Sequence, residues 1–302
     1  MNRKRGRRKF IDGVLLLDKP AGISSNRALQ QARGVYQARK AGHTGSLDPI
    51  ATGLLPVCFG EATKLSQFFL GTDKRYWTRL KLGERRDTGD IEGHVVQRRD
   101  VDVNEDRLQA ARAAFTGNLM QTPPMYSAIK RQGQPLYKLA RQGIKVERMA
   151  RPVTVYDLKL NRLTADQIDL DIHCSSGFYV RSLAEDIGEY LGCGAYVEQL
   201  RRTAVGHFSV QTAHTLEDLR GMENEKTRLD CLIAEDQALP HIPEVQLSAD
   251  ATYYLCRGQA VRAARLPETG WVRLYGEGAG FLGLGQVLED GRVTPKRLFH
   301  RR

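Results

Sequence analysis

Ala41-Gly42-His43-Thr44-Gly45-Ser46-Leu47-Asp48-Pro49-Ile50-Ala51-Thr52-Gly53-Leu54-Leu55 follows neither the helical period nor the two-residue alternation of a strand. From Gly42 to Gly53, three glycines, a proline and two threonines surround His43 and Asp48, a composition that predicts a shaped loop. Regular structure is predicted on both sides of it. Upstream, Val14-Leu15-Leu16-Leu17 reads as a buried strand ended by Lys19-Pro20-Ala21-Gly22. Ser24 or Ser25 then caps a helix that turns Ala28, Leu29, Ala32 and Val35 inward. Downstream, Tyr76 to Leu82 alternates, with Tyr76, Thr78, Leu80 and Leu82 on the apolar face. Residues 104–116 carry Leu108, Ala111 and Phe115 at helical spacing. Residues 152–174 read as two strands, the second with Ile168, Leu170, Ile172 and Cys174 inward. After the break at Ser175-Ser176-Gly177, residues 179–191 form a helix with a Leu183, Ala184, Ile187, Leu191 stripe. A further capped helix starts at Thr215-Leu216-Glu217-Asp218.

A chain of 302 residues exceeds what one core usually serves, so two domains are expected. The polar, Pro-containing stretch Pro240 to Pro243 reads as a linker. Residues 246–302, Gly-rich with short strand-like runs, read as a small β-rich barrel or sandwich. With 41% hydrophobic and 27% charged residues the chain can bury a sizeable core, and no apolar run approaches the ~20 residues of a bilayer span. No membrane association is expected. No apolar signal segment follows the basic start, which points to the cytoplasm. Cys58, Cys174, Cys193, Cys231 and Cys256 are odd in number and widely spaced, and are expected as buried free thiols.

Forty-six Lys and Arg against 35 Asp and Glu leave a net charge of +11. Six of the positive charges form a basic arm at residues 1–9 (Arg3, Lys4, Arg5, Arg7, Arg8, Lys9). Such a balance favours a polyanionic partner, nucleic acid ahead of an anionic membrane surface. Residues 126–151 carry seven basic residues and one acidic residue, interleaved with Tyr126 and Tyr137. This pattern suits looped or single-stranded RNA, and equally an exposed helix face. The last eleven residues carry Arg292, Lys296, Arg297, Arg301 and Arg302 without an acid, which fits an accessory nucleic-acid-binding domain or a solvated basic end.

Cofactor motifs are absent. Gly278-Ala279-Gly280-Phe281-Leu282-Gly283 fits G-x-G-x-x-G, but a strand and hairpin turn follow it where a dinucleotide cradle needs a helix N-terminus. No Walker loop, H-E-x-x-H or nucleophile elbow occurs, and the seven histidines make no ligand cluster with cysteine. Neither metal nor cofactor is expected. Asp48 lies between Leu47 and Pro49; the proline drives it toward extended backbone and its apolar neighbours leave its carboxylate poorly solvated. A carboxylate that is to act as a nucleophile must stay ionised, and an arginine against it would hold its pKa down and its orientation fixed. Arg181, at a strand-to-helix switch, is the candidate. An ordinary Asp-Pro turn and a surface arginine remain the alternative.

Gly13-Val14-Leu15-Leu16-Leu17-Asp18-Lys19-Pro20 with Ser24-Ser25, the loop Gly42 to Gly53, Lys74-Arg75-Tyr76, and Ser176-Gly177-Phe178-Tyr179-Val180-Arg181-Ser182 together resemble, in order, the four motifs of the bacterial TruB-type tRNA pseudouridine synthases. The resemblance runs over nearly the whole chain. It implies an α+β catalytic domain on a central, mainly antiparallel sheet flanked by helices, at residues 10–245, and a small β-rich, PUA-type RNA-binding domain at residues 246–302. It implies isomerisation of uridine 55 in the T-loop of transfer RNA, without a cofactor. Asp48 would stand at the catalytic position with Arg181 as its counter-charge. His43 would fill the space left by the extruded base, Tyr76 would lie against the uracil and help move a proton, Tyr179 would line the pocket, and Leu200 would contact the uracil. Each has a plainer reading: a loop-stabilising imidazole for His43, a core aromatic for Tyr76, a core leucine for Leu200. Lys19 and Pro20 are expected to shape their turn. Transfer RNA, through its T-arm, is the expected partner, with no protein partner required and a monomer expected; assistance to tRNA folding is compatible with turnover. A non-catalytic RNA chaperone, or a synthase acting on ribosomal or messenger RNA, are the rival readings.

Overall fold

Val14 to Leu17 are all but inaccessible to solvent, because the strand that contains them is covered on both faces. It opens a computed structural model that describes residues 8–131, 133–144 and 146–300; most of the basic arm expected at residues 1–9 lies outside them. Lys9, within them, pairs with Glu225 at the surface.

In chain order come β1 (Gly13–Lys19), α1 (Ser25–Val35), β2 (Ala41–His43), β3 (Thr52–Phe59), a 3-10 helix (Gly60–Leu65), α2 (Ser66–Leu70), β4 (Lys74–Leu82), β5 (Glu84–Arg86) and β6 (Val95–Arg98). Next are α3 (Glu105–Ala114), β7 (Gly117–Gln121), β8 (Lys130–Arg131), β9 (Gln134–Pro135), α4 (Leu136–Arg141), β10 (Arg151–Arg162), β11 (Gln167–Cys174), α5 (Val180–Tyr190) and β12 (Ala195–Val205). The chain continues through β13 (Phe208–Ser209), a second 3-10 helix (Val210–Thr212), β14 (His214–Thr215), α6 (Leu216–Gly221), α7 (Glu225–Leu229) and β15 (Leu232–Ile233). It closes with β16 (Glu244–Leu247), α8 (Ala249–Cys256), β17 (Gly270–Gly276), β18 (Gly280–Val287) and β19 (Val293–Leu298).

One large sheet runs β14-β1-β3-β12-β4-β11-β10-β7, with β2, β13 and β15 paired at its side. Its pairings are antiparallel except β1 with β14 and β3 with β12, which agrees with the mainly antiparallel sheet expected. α1, α3 and α5 cover one face, where Ala28, Leu29, Leu108, Leu183 and Ile187 meet Leu80, Leu158 and Leu170 in the main core. The expected alternation of β4 holds: Thr78, Leu80 and Leu82 are buried while Arg79 pairs with Asp169 on the other face. α1 starts at the Ser24 cap, whose side chain accepts from Arg27 N, and α6 starts with a capping box between Thr215 and Asp218.

The C-terminal unit is a four-stranded sheet, β16-β17-β18-β19. It departs from the sequence reading in one element: residues 249–256 are helical, capped by Ser248. Thr252, Tyr253 and Tyr254 are weak helix formers and the apolar period is short, so the segment carries no clear helical signal, although Leu255 is buried in the small core. The linker reading of residues 240–243 is modified too. Leu239 and Ile242 are buried with Phe281 and Leu284 of β18 and with Val14, Leu16, Leu54 and Phe69 of the large unit, in one apolar seam. Cysteine burial holds for Cys58, Cys174 and Cys193, whereas Cys231 is half-buried and Cys256 exposed. The glycine-rich stretch Gly278 to Gly283 turns into β18, with no helix at its end. Among the described residues, no helix is long and apolar enough to cross a membrane.

Candidate active site

The loop between β2 and β3 is held by three neighbours before any ligand arrives. From α1, the Ser25 hydroxyl accepts from Leu47 N at 2.7 Å and donates to Leu47 O at 3.0 Å. From the end of β1, the fully buried Lys19 Nζ donates to Pro20 O, to Ile23 O and, at 3.4 Å, to Pro49 O. From β12, buried Arg202 donates through Nε to Leu54 O at 2.7 Å and through Nη2 to Gly45 O at 3.0 Å. Lys19 therefore shapes the turn as expected and also reaches the residue after Asp48. The loop is shorter than its composition suggests, because Gly42 and His43 pair with Cys58 and Val57 as the end of β2. Gly53 lies at φ +102 beside β12, where a Cβ would stand 2.3 Å from Arg202 O; no other residue fits this approach of β3 to β12.

Held this way, Asp48 meets Arg181, 133 positions on in the chain: Nε stands 2.9 Å from Asp48 Oδ2. Arg181 is buried in the first turn of α5, and its other nitrogens donate to Thr88 O at 3.0 Å and Tyr126 O at 2.7 Å. The guanidinium is thus fixed by backbone on one edge and offers the other to carboxylates. Asp90 Oδ2 lies 3.7 Å from the same Nε, itself held by the Thr88 hydroxyl at 2.6 Å. Gln121 secures the helix start by accepting from Tyr179 N and donating to Tyr179 O.

About a third of the Asp48 side chain is exposed, and protein crowds the rest of it. Burial raises its pKa above the ordinary carboxylate value; Arg181 opposes this by charge and hydrogen bond, Asp90 adds to it, and Lys19 opposes it. Arg181 pulls the pKa down, the influence the sequence reading looked for, while desolvation and a second carboxylate push the other way. Lys19 is lowered to about 8, first by burial, with Asp48 opposing.

The remaining expected residues gather around this pair to different degrees. Tyr76 on β4 packs against the main core and stands across from Arg202 on β12; burial raises its phenol, and Arg202, as hydrogen-bond donor and charge, lowers it. Tyr179 is half-buried at the start of α5, its phenol raised by burial and under the influence of Arg181 and Asp48. His43 ends β2; burial and Arg202 lower its pKa, and its enclosed Nδ1 has no hydrogen-bond partner. Leu200 pairs with Thr78 of β4, two residues from Arg202, and its side chain is buried in the main core. Asp90 and Arg202 were not singled out from the sequence. Asp90 sits in a polar turn indistinguishable from any other. Arg202 did carry a signal, since on an alternating strand it falls in phase with Leu200 and therefore points inward.

A cavity of about 490 Å³ is lined by Thr88 and Tyr126, whose carbonyls accept from Arg181, together with Arg148, Glu185 and Asp186. Among the described residues, no group of three or more His, Cys, Asp or Glu is placed to hold a metal ion.

Comparison with known proteins adds to this geometry. Residues 33–180 match the TruB family pseudouridylate synthase N-terminal domain, residues 181–238 the tRNA pseudouridylate synthase B C-terminal domain, and residues 243–299 the C-terminal domain of pseudouridine synthase II TruB. The chain is 49% identical to tRNA pseudouridine synthase B of Tolumonas auensis, over 98% of this chain and 94% of that protein. It is 52% identical to the protein of the same name from Nitrosococcus oceani, over 95% and 94%. A chain in the crystal structure of a Cbf5-Nop10-Gar1 complex superposes with a TM-score of 0.71 at 25% identity, covering 97% of this chain and 85% of that one. One in the archaeal box H/ACA sRNP Nop10-Cbf5 complex gives 0.72 at 23%, covering 98% and 89%, a likeness of fold. The class is thereby set: the matched domains and the sheet are those of a pseudouridine synthase. Within it, this chain belongs to the TruB family.

Proposed function

We propose that the chain converts uridine 55 in the T-loop of transfer RNA to pseudouridine, and that Asp48 is its catalytic carboxylate. The observation that carries this is the 2.9 Å contact between Asp48 and a buried, backbone-fixed Arg181 in a cleft of a TruB-family fold. The reaction is an isomerisation: the bond from N1 to C1′ of the ribose breaks, one from C5 to C1′ forms, and the C5 proton leaves as N1 gains one. Atoms and electrons balance within the nucleotide, so the protein has to supply only placement, a charge and proton transfer. Attack of Asp48 on the sugar, its attack on the ring, and removal of a sugar proton by it all require the same ionised, positioned carboxylate.

A base stacked in the T-loop has to be turned out first, at a cost of about a few kcal/mol. The imidazole of His43 takes up the space it leaves; Tyr76 supports the uracil face and relays a proton; Tyr179 and Leu200 close the pocket with apolar surface. Lys and Arg of the 126–151 segment and of the C-terminal unit, read as a PUA-type domain, hold the phosphates. The enzyme acts as a cytoplasmic monomer on tRNA without a protein partner.

The test is turnover on unmodified tRNA followed by nucleoside analysis and mapping of the modified position. Asp48→Asn is expected to abolish pseudouridine formation and leave tRNA affinity within about tenfold, since phosphate contacts dominate binding. Retained turnover defeats the assignment; modification mapped to ribosomal or messenger RNA alone replaces the substrate.

A further inference from the structure

Arg202 is among the largest fully buried side chains in the protein, 1% exposed. Burying a guanidinium costs several kcal/mol unless its donors are used. Here Nε and Nη2 donate to neutral acceptors, Leu54 O and Gly45 O, and Tyr76 is the direct cross-strand neighbour. Both carbonyls belong to the chain that carries Asp48, on either side of it, while Tyr76 belongs to the neighbouring strand. Direct cross-strand pairing of Arg202 with Tyr76 puts their side chains on one face of the sheet, and Gly53, pairing with Arg202 from the other side, lets the two strands close up. One cation is therefore strapped to the Asp48 loop and stands beside Tyr76. Neutral partners leave its charge uncompensated, and its field reaches His43, Lys19 and Lys74 as well.

We propose that Arg202 is a positioning residue that acts through Tyr76: strapped to Gly45 and Leu54, it donates to the phenol oxygen, fixes the ring, and leaves the hydroxyl proton to be offered on the cleft side. A phenol oxygen that accepts from a guanidinium directs its own hydrogen elsewhere, and Asp48 lies close enough to act on Tyr76 electrostatically. The link gives Tyr76 and Asp48 a common reference, so that proton donor and carboxylate keep their spacing when the base enters. This rests on reading the cleft as a uridine isomerase site.

The experiment uses the full chain and a tRNA transcript, with single-turnover rate and tRNA Kd measured for Arg202→Lys, Tyr76→Phe and the double variant. Arg202→Lys is expected to slow the chemical step about tenfold or more with Kd within about threefold, and to cost less than about twofold further once Tyr76 is phenylalanine. Equal losses in both backgrounds overturn the proposal, as does a Tyr76→Phe chain that turns over at the unsubstituted rate, whether or not any Arg202 variant folds. A second readout places 3-fluorotyrosine at position 76: its fluorine signal should titrate at higher pH in a folded Arg202→Gln chain than with Arg202 present, and an unmoved titration overturns the link. An unsubstituted chain inactive on tRNA removes the functional reading itself, an outcome separate from any of these.

Discussion

Opposing influences meet at the Asp48 carboxylate. Burial and Asp90 favour the protonated acid, Arg181 and Lys19 the carboxylate, and the balance lies above the ordinary pKa. If ionised Asp48 drives the reaction, the single-turnover rate rises with pH along an acid limb centred above the usual carboxylate range. Arg181→Met removes the strongest opposing influence, so the limb moves to still higher pH and the rate near neutrality falls by about 100-fold or more. A limb that stays in place in a pH-rate profile would show that another group sets it. Asp48 and Arg181 were readable because each breaks a local rule: an acid flanked by leucine and proline, and a cation that begins a helix with an apolar stripe. Asp90 breaks none, and only folding brings it beside Arg181, which is why the second carboxylate and its upward push stayed hidden.

At the scale of elements, the catalytic loop depends on the N-terminus of α1 and on the approach of β3 to β12. Ser25→Ala leaves Leu47 N and O without their partner, at a cost of about 1–2 kcal/mol, and frees the residue next to Asp48. A modest fall in Tm together with a larger fall in kcat is expected; a fall in Tm alone would mean that the loop keeps its shape without the serine. Gly53→Ala is harsher, because a Cβ at φ +102 would overlap the Arg202 backbone, and about 2 kcal/mol or more is expected to be lost in a denaturant titration. Strands and helices with a long, clean period, such as β4, β11 and α5, could be read from the sequence because one face of each is buried. α8 could not, since eight residues with two exposed tyrosines give no period to read. The pairing of β3 with β12 was equally out of reach, for parallel neighbours come together across 149 positions only through β4 and the core.

For the whole molecule, the apolar seam decides whether the C-terminal sheet is a passenger or part of one folding unit. Phe281 is nearly inaccessible, touches Tyr275 and Phe299 with ring centroids 5.4 and 5.3 Å away, and shares its cluster with Val14, Leu16 and Leu54 of the large sheet. Lys64 Nζ donates to Leu298 O across the same boundary, and Glu61 accepts from His300 N. A seam that holds residues from β1, β3 and β18 ties the two sheets thermodynamically. Phe281→Ala should therefore destabilise the protein by about 3–5 kcal/mol and lower a single unfolding transition seen alike by a probe in either sheet. Two separate transitions, with only the C-terminal one shifted, would show independent units. Coupling also bears on RNA binding. Removing residues 244–302 would bare Leu16, Leu54 and Phe69 and lower stability along with affinity, so the C-terminal contribution is better measured by charge. Replacing Arg257 or Lys296, neither of which lies in the seam, should reduce the salt dependence of tRNA binding by about one ion per lost phosphate contact while single-turnover chemistry at saturating tRNA is unchanged. A salt slope that does not move with either residue would take the RNA-facing role away from that surface.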